Sequence, residues 1–257
     1  MLSTIYTDAD NTLWDTDAVF QAAQLALLEG VEQIVGTPAP GNDRLAFVRD
    51  FDQAIASQHH DRLRYPPGLL AHALALGLQG ASSGKAARTV IRQGSLAATD
   101  DAVDRFAAML EAPPQLLPGV REGMLLAARD GFELYVVTEG SQQKAASTLR
   151  QHGLLEQTGQ VLSATKSVEL YRRLKTRAES DFVGMIGDQL DRDVLLAREA
   201  GLLAVWVPSA FRPKWVDPGR SKDASFTATD FLAAISWLLK TRDERALHRR
   251  SLTHTSR

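Results

Sequence analysis

The sequence of 257 residues lacks cysteine altogether, so it has no disulfide bond, no thiolate zinc site and no thiol nucleophile. It also lacks any run of about 20 apolar residues, the length that a membrane-spanning helix needs. Basic and acidic side chains number 29 and 31, and the net charge of −2 gives no general attraction to nucleic acid or anionic lipid. We therefore predict neither a nucleic-acid partner nor a membrane partner.

The first residues carry no recognisable targeting signal. The apolar stretch 2–6 has no basic segment before it and is shorter than the core of a signal peptide. A cytoplasmic location is therefore expected. With 44% hydrophobic and 23% charged residues, the composition is typical of a globular protein. The length indicates one large domain, or one domain with a substantial insertion.

From residue 120 onward, amphipathic helical segments alternate with short apolar segments. The predicted strands are 133–138, 161–164, 182–186 and 203–207, and the predicted helices are 120–130, 141–152, 167–178, 190–200 and 228–240. Short apolar strands that alternate with helices predict a parallel sheet with both faces covered. The apolar segment 2–7 adds one strand at the start of the chain. The predicted fold class is therefore α/β, with a doubly wound, Rossmann-like parallel sheet.

Residues 16–114 contain no convincing strand. Apolar residues recur there at helical spacing and are interrupted by glycine and proline, which predicts four to six helices. A segment of this length is too long to be a loop. We therefore predict an α/β core formed by 1–15 and 115–240, with an all-helical domain inserted after the first strand. The polar segment 241–257 is expected to be a solvated or disordered tail.

Residues that carry chemistry follow the predicted strands. They are, in chain order, Asp8, Asp10, Thr138, Glu139, Gly140, Lys166, Asp188, Asp191 and Asp193. Because function concentrates at the carboxyl ends of the strands in an open parallel sheet, we expect these residues to converge at one edge. The sequence therefore predicts a single site.

The residue types at this edge favour a magnesium ion and a phosphate ester. Clustered carboxylates are unfavourable unless a cation offsets them, and oxygen ligands without histidine or cysteine select Mg²⁺. Thr138 and Lys166 could hold anionic oxygens. The backbone N–H groups of Glu139 and Gly140, just before the predicted helix 141–152, would add a helix N-terminus that attracts anions. Gly140 has no side chain to obstruct a phosphate.

The order of these motifs resembles that of the haloacid dehalogenase-like hydrolases. The matching residues are Asp8-x-Asp10-x-Thr12-Leu13, Thr138, Lys166, and Gly187-Asp188 followed by Asp193. The resemblance covers about residues 1–15 and 115–240, and the helical insertion after the first motif is similar to the helical-cap subgroup of the family. Each motif alone is weakly specific, whereas the four in this order are strongly specific.

The resemblance implies roles for the acidic residues. Asp8 would be the nucleophile that forms an aspartyl-phosphate, and Asp10 would be the general acid and base. Mg²⁺ would be bound by Asp8, the backbone carbonyl of Asp10 and Asp188. Asp193 would bind the metal directly or through water, although the sequence leaves open whether Asp191 is the nearer partner.

The resemblance also implies that Thr138 and Lys166 stabilise the transferring phosphoryl group. Three positions depart from the family's pattern: Asn11 stands where glycine is most common, Ser167 rather than proline follows Lys166, and Gln189 replaces a common serine. The second departure leaves Lys175 as a weaker candidate for the lysine. Dehalogenases usually lack the second motif-one carboxylate, because their leaving group needs no proton, so Asp10 argues against dehalogenation.

The predicted function is that of a Mg²⁺-dependent phosphatase acting on a small organic phosphate monoester, with a phosphorylated metabolite as its partner. Two alternatives stay open. A phosphomutase would share the aspartyl-phosphate but return the phosphoryl group to an isomer of the substrate. A sensor of phosphorylated metabolites would bind without catalysis, although binding alone does not need both Asp8 and Asp10. The oligomeric state is not predicted.

A further set of residues has predicted roles outside the core motifs. Candidates for substrate specificity are Trp14, Asp15, Phe20, residues 62–65, Arg88 and Arg92. Trp206 and Trp215 are expected to pack in the core or anchor a loop rather than bind substrate. The glycine-rich segment 80–86 lacks the strand and the hydroxyl residue of a phosphate-binding loop and is predicted to be a turn.

Overall fold

The structure, a computed structural model, describes residues 3–60, 62, 65–178, 180–210 and 217–254. The chain divides into two compact units. The α/β unit comprises Met1–Thr16, Pro114–Arg212 and Val216–Arg257, and the helical unit comprises Asp17–Pro113 and Pro213–Trp215. Each unit has its own hydrophobic core.

The α/β unit is built on a six-stranded sheet. Its strands are β1 (Ser3–Thr7), β2 (Phe132–Thr138), β3 (Val161–Ser163), β4 (Val183–Gly187), β5 (Leu203–Trp206) and β6 (Phe226–Thr227). The order across the sheet is β3-β2-β1-β4-β5-β6, and every pairing is parallel. The predicted α/β fold with a Rossmann-like parallel sheet is therefore confirmed. The edge strand β6 was not predicted, because two residues are too short to give an apolar pattern.

Five helices of the α/β unit alternate with the strands. They are α6 (Val120–Arg129), α7 (Gln142–Gln151), α8 (Val168–Arg177), α9 (Leu195–Glu199) and α10 (Phe231–His254). The strands are buried on both faces, since Ile5 belongs to one hydrophobic cluster and its neighbour Tyr6 to the other. The central strand β1 is buried at every position, which places the residues that follow it in the middle of the sheet edge.

The segment 241–254, for which the sequence predicts a solvated or disordered tail, continues helix α10, and its residues 243–249 are exposed to solvent. Arg242 Nη1 donates a hydrogen bond to the Asp130 carbonyl (2.8 Å), and its guanidinium lies over the Phe132 ring at 4.8 Å. Arg249 forms an ion pair with Asp181 (2.6 Å). The basic side chains therefore attach this end of α10 to the α/β unit.

The helical unit contains five α-helices among its described residues, within the predicted range of four to six. They are α1 (Thr16–Val35), α2 (Arg44–Ala56), α3 (Pro67–Leu78), α4 (Ser83–Gln93) and α5 (Asp100–Met109). In segment 80–86, only residues 80–82 lead into α4, with Gly80 at a φ of +95°; residues 83–86 form the first turn of that helix, so the predicted turn is shorter than expected. Among the described helices, none is long and apolar enough to cross a membrane.

Candidate active site

Asp8 occupies the first position after the central strand. Its N–H donates to the carbonyl of Ile186 on β4 (2.8 Å), and its side chain is buried. The chain then turns at Asn11, which has a φ of +58°. Asparagine tolerates this left-handed conformation better than most residues other than glycine, which accounts for Asn11 at a position where the family prefers glycine. After this turn Thr12 lies beside Asp8, and its hydroxyl donates a hydrogen bond to Asp8 Oδ2 (3.3 Å).

Three of the predicted carboxylates form a buried cluster. One oxygen from each of Asp8, Asp188 and Asp193 lies within 4.8 Å of the other two. Asp188 follows β4 directly, and Asp193 reaches the cluster through a π-helical turn at Leu190–Val194. The Gln189 N–H donates to Asp193 Oδ2 (3.0 Å) and holds that side chain against the strand end. The sequence predicts an ordinary α-helix here, so the π-turn is a correction.

The cluster has the chemistry of a site for a hard divalent cation. All the potential metal ligands in the cluster are carboxylate oxygens, with no histidine or cysteine among them, and such ligands suit Mg²⁺. Asp188 Oδ1 is buried and has no hydrogen-bond partner among the described residues. A buried carboxylate oxygen without a donor is unfavourable, and a bound cation would remove that cost. Asp10 is not part of the cluster of side chains, and neither is Asp191.

Lys166 is the cation that the chain itself brings to these carboxylates. Its Nζ contacts Asp8 Oδ1 and lies 2.5 Å from Asp193 Oδ1, and the side chain is 4% exposed. Burial disfavours the charged ammonium, but the carboxylates of Asp193 and Asp8 outweigh burial and raise the pKa of Lys166. Lys175, the alternative candidate, instead donates to the Gly201 carbonyl (2.8 Å). Lys166 alone of the two contacts Asp8.

Burial also changes the titration of the acidic residues. It raises the pKa of Asp8 to about 7, against the opposing effect of Lys166 and with further upward contributions from Asp193 and Asp10. Burial, followed by the charges of Asp8 and Asp193, likewise raises the pKa of Asp188 well above its ordinary value. The metal-free cluster therefore holds its negative charge weakly, as expected for carboxylates that need a cation.

Asp10 lies beside this cluster and is held by two donors. Its Oδ1 accepts hydrogen bonds from the Thr16 hydroxyl (2.7 Å) and from Trp14 Nε1 (3.1 Å). Trp14 is 3% exposed, so this predicted specificity residue is a buried support for Asp10. A Cβ built on Gly140 would lie 3.5 Å from Asp10 Oδ2, which places the other carboxylate oxygen next to the loop after β2.

That loop brings Thr138, Glu139 and Gly140 to the same edge. The Gly140 N–H donates to Thr138 Oγ1 (2.9 Å), so it is not the free donor that the sequence predicts. Glu139 was predicted only for its backbone N–H, yet its side chain has clear partners. Its Oε1 accepts a hydrogen bond from the Lys166 N–H (2.9 Å), and its Oε2 pairs with Arg192.

Other residues at the edge were not identified from the sequence. Ser209 Oγ donates to Asp188 Oδ2 (2.7 Å), and the buried Tyr171 donates to the Arg192 carbonyl (3.2 Å). Trp206 Nε1 donates to the Asp188 carbonyl (2.7 Å), consistent with the anchoring role predicted for it. A single serine or tyrosine far along the chain carries no pattern that would have revealed these contacts.

The remaining specificity candidates belong to the α1 region and the helical unit. Phe20, Arg88 and Arg92 are exposed, and Asp15 is half-buried. Tyr65 is 8% exposed and donates a hydrogen bond to Asp52 on α2, so it is part of the interior of the helical unit. Residues 63 and 64 and Trp215 lie outside the described residues.

Comparison with known proteins places the chain in a family. A family model described as haloacid dehalogenase-like hydrolase matches residues 2–201. No curated protein sequence matches significantly. Among solved structures, the HAD-hydrolase YfnB of Bacillus subtilis, bound to magnesium, has a TM-score of 0.59 at 19% identity, over 92% of this chain and 98% of its own.

Two further structures bear names of phosphate chemistry. A predicted phosphoglycolate phosphatase of Haemophilus somnus has a TM-score of 0.61 at 15% identity, over 91% of this chain and 97% of its own. A protein of Thermotoga maritima with a provisional name of β-phosphoglucomutase has a TM-score of 0.59 at 16% identity, over 94% and 99%. At these identities the likeness extends to the fold, and the family model covers most of the sequence. The chain belongs to the haloacid dehalogenase-like hydrolases.

Proposed function

We propose that this protein is a Mg²⁺-dependent phosphatase that hydrolyses a small organic phosphate monoester. The observation that carries the proposal is the buried cluster of Asp8, Asp188 and Asp193 at the end of the central strand, in contact with Lys166. Such a site combines a nucleophilic oxygen with the positive charge that phosphoryl transfer requires. A phosphorylated metabolite is the proposed partner and the cytoplasm the proposed location.

The three clustered carboxylates and the Asp10 carbonyl are the groups proposed to hold Mg²⁺. The bound ion would neutralise negative charge between the carboxylates and the phosphate oxygens. Asp188 Oδ1 suits this role, because it is buried and has no hydrogen-bond partner in the described part of the chain.

Asp8 is the proposed nucleophile. One of its oxygens attacks phosphorus, a new P–O bond forms, and the ester P–O bond breaks, which gives an aspartyl-phosphate. Asp10 donates its proton to the departing alcohol oxygen. It then removes a proton from the water that attacks the aspartyl-phosphate, so that inorganic phosphate leaves and both carboxyl groups regain their starting states.

The neighbouring residues fix the geometry of these steps. Thr16 and Trp14 both hold Asp10 through Oδ1, which sets the direction of the other oxygen. Lys166 and Thr138 are proposed to bind oxygens of the phosphoryl group as negative charge moves onto them. The ammonium of Lys166 is fixed before substrate arrives, because Asp8 and Asp193 already hold it.

The test is hydrolysis of an aryl phosphate with Mg²⁺ by the wild-type protein and by Asp8→Asn. We expect the substitution to lower kcat by at least about 10³-fold, as loss of a catalytic nucleophile does. Asp181→Asn is the matched control, because Asp181 is an exposed aspartate paired with Arg249 before β4. Chelation of the metal should abolish turnover, and added Mg²⁺ should restore it.

Other outcomes would favour the alternatives. Isomerisation of a sugar phosphate without net release of phosphate would indicate a phosphomutase, for which the same Asp8 chemistry would serve. Binding of phosphorylated metabolites without turnover of any member of a broad panel would indicate a sensor. Release of halide from a haloacid, unaffected by Asp10→Asn, would indicate a dehalogenase and contradict the proposed role of Asp10.

A further inference from the structure

The two oxygens of the Asp188 side chain have different surroundings. Oδ2 accepts a hydrogen bond from the Ser209 hydroxyl at 2.7 Å, whereas Oδ1 is buried without a partner among the described residues. The residue is 5% exposed, so water contributes little to either oxygen. Oδ2 is therefore held in place by Ser209. Oδ1 is the oxygen that could bind a cation in the carboxylate cluster.

Ser209 reaches Asp188 from the segment that follows β5. Trp206, the last residue of that strand, donates from Nε1 to the Asp188 main-chain carbonyl at 2.7 Å. The same short segment thus contacts both the backbone and the side chain of Asp188. These two contacts fix the position of the residue and the rotation of its carboxylate about the Cβ–Cγ bond.

We propose that Ser209 is a positioning residue that orients Asp188 for metal binding, an inference that rests on the metal-dependent function proposed above. Partners that hydrogen-bond to a metal-binding side chain fix its orientation before the metal arrives. Without the hydroxyl, Oδ2 becomes a second buried acceptor that has no donor among the described residues. The carboxylate is then free to turn toward the Lys166 ammonium, which contacts the other two carboxylates of the cluster, Asp8 and Asp193. Metal binding has to reverse that rotation, which weakens affinity.

The test compares Ser209→Thr with Ser209→Val, two side chains of nearly the same shape that differ in the hydroxyl. Each protein is stripped of metal with a chelator, and its affinity for Mg²⁺ is measured by titration calorimetry. We expect Ser209→Thr to bind close to wild type and Ser209→Val to bind roughly 10-fold more weakly, the lower end of effects seen for such partners. Titration with Mn²⁺, followed by the spin resonance of the free ion, gives a second readout that needs no enzymatic turnover.

Ser225→Ala is the control. Ser225 is also half-buried in the segments after β5, and its hydroxyl accepts from the Ala204 N–H (3.0 Å) and from Arg198 (3.1 Å). It should leave metal affinity unchanged. Equal affinities for the threonine and valine variants overturn the role of Ser209 while leaving the proposed function intact. A wild-type protein that binds neither Mg²⁺ nor Mn²⁺ overturns the metal-dependent function and this inference with it.

Discussion

At the scale of single residues, Lys166 is the charge on which the metal-free cluster depends. Its ammonium contacts Asp8 and Asp193 in a region that is almost fully buried. Removing one member of a buried ion pair leaves the other without compensation, which commonly costs about 3–5 kcal/mol. Because Asp8 can take up a proton near neutrality, we expect a loss at the lower end of that range.

The first prediction is that Lys166→Met lowers the free energy of unfolding of the chelated protein by about 3 kcal/mol at neutral pH. Urea denaturation measures it. Lys175→Met is the matched control, because this lysine is exposed and donates to the Gly201 carbonyl; it should change stability by about 0.5 kcal/mol or less. Equal stabilities for the two variants would show that the cluster does not need Lys166.

Site residues can be predicted from the sequence where both the residue type and its position after a strand indicate a role. Asp8 and Asp188 follow apolar strands directly, so their convergence follows from the parallel sheet. The partner of Asp188 could not be found in this way. Ser209 lies in an irregular segment, and no periodicity specifies where the hydroxyl of such a residue points.

At the scale of elements, Glu139 joins three loops at the carboxyl edge of the sheet. It follows β2, its Oε1 accepts from the Lys166 N–H after β3, and its Oε2 pairs with Arg192 in the π-turn after β4. Glu139 is 9% exposed in this pair and Arg192 33%. A carboxylate in that position would repel a phosphate, and Arg192 offsets this charge.

The second prediction is that Glu139 and Arg192 are energetically coupled. In a double-mutant cycle of Glu139→Ala and Arg192→Ala, measured by chemical denaturation, we expect a coupling energy of about 1 kcal/mol or more, as for contacting residues in one network. The exposed pair Glu169 and Arg173 on α8, four residues apart, provides the comparison, with about 0.3–0.5 kcal/mol expected. A coupling energy no larger than that of the Glu169–Arg173 pair would show that the Glu139–Arg192 ion pair does not link these loops energetically.

The ends of helices and strands were predicted well where the apolar periodicity is strong. They were missed where side-chain contacts determine the end of an element or its type of helix. The five segments 3–7, 132–138, 161–163, 183–187 and 203–206 agree with the predicted strands to within a residue or two. The π-turn before α9 depends on a hydrogen bond from Gln189 to Asp193, which is not a periodic feature. The continuation of α10 to His254 depends on contacts of Arg242 and Arg249 with distant residues.

At the scale of the whole molecule, the change from helical to alternating periodicity near residue 114 predicted the presence of two kinds of structure in one chain. The two compact units change at the same place, after Pro113.

The helical unit also contains a buried carboxyl group of its own. Asp52 on α2 accepts a hydrogen bond from Tyr65 and is 9% exposed, a feature that the sequence pattern did not indicate.

The third prediction concerns the pH dependence of the stability of the whole chain. Burial raises the pKa of Asp52 in the folded protein, in spite of hydrogen bonds from Tyr65, Gln24 and Gln53 and the charge of Arg49. Below about pH 4 both states hold the proton and Asp52 has no effect on the slope. As pH rises above that value, the unfolded chain releases its proton first, so this residue lowers stability progressively until the folded pKa is passed.

Asp52→Asn removes this titration and should therefore become more stable relative to wild type as pH increases from about 4 toward neutrality. The lost and altered hydrogen bonds shift the difference in unfolding free energy by a constant amount, so the slope with pH is the quantity to measure. Urea denaturation at a series of pH values provides it, and titrations elsewhere in the molecule cancel in the difference. Asp101→Asn, at an exposed position on α5, should show no such slope. A difference for Asp52→Asn that is independent of pH over this range would mean that the pKa of Asp52 is not raised in the folded protein, because its hydrogen bonds and the charge of Arg49 at least offset burial.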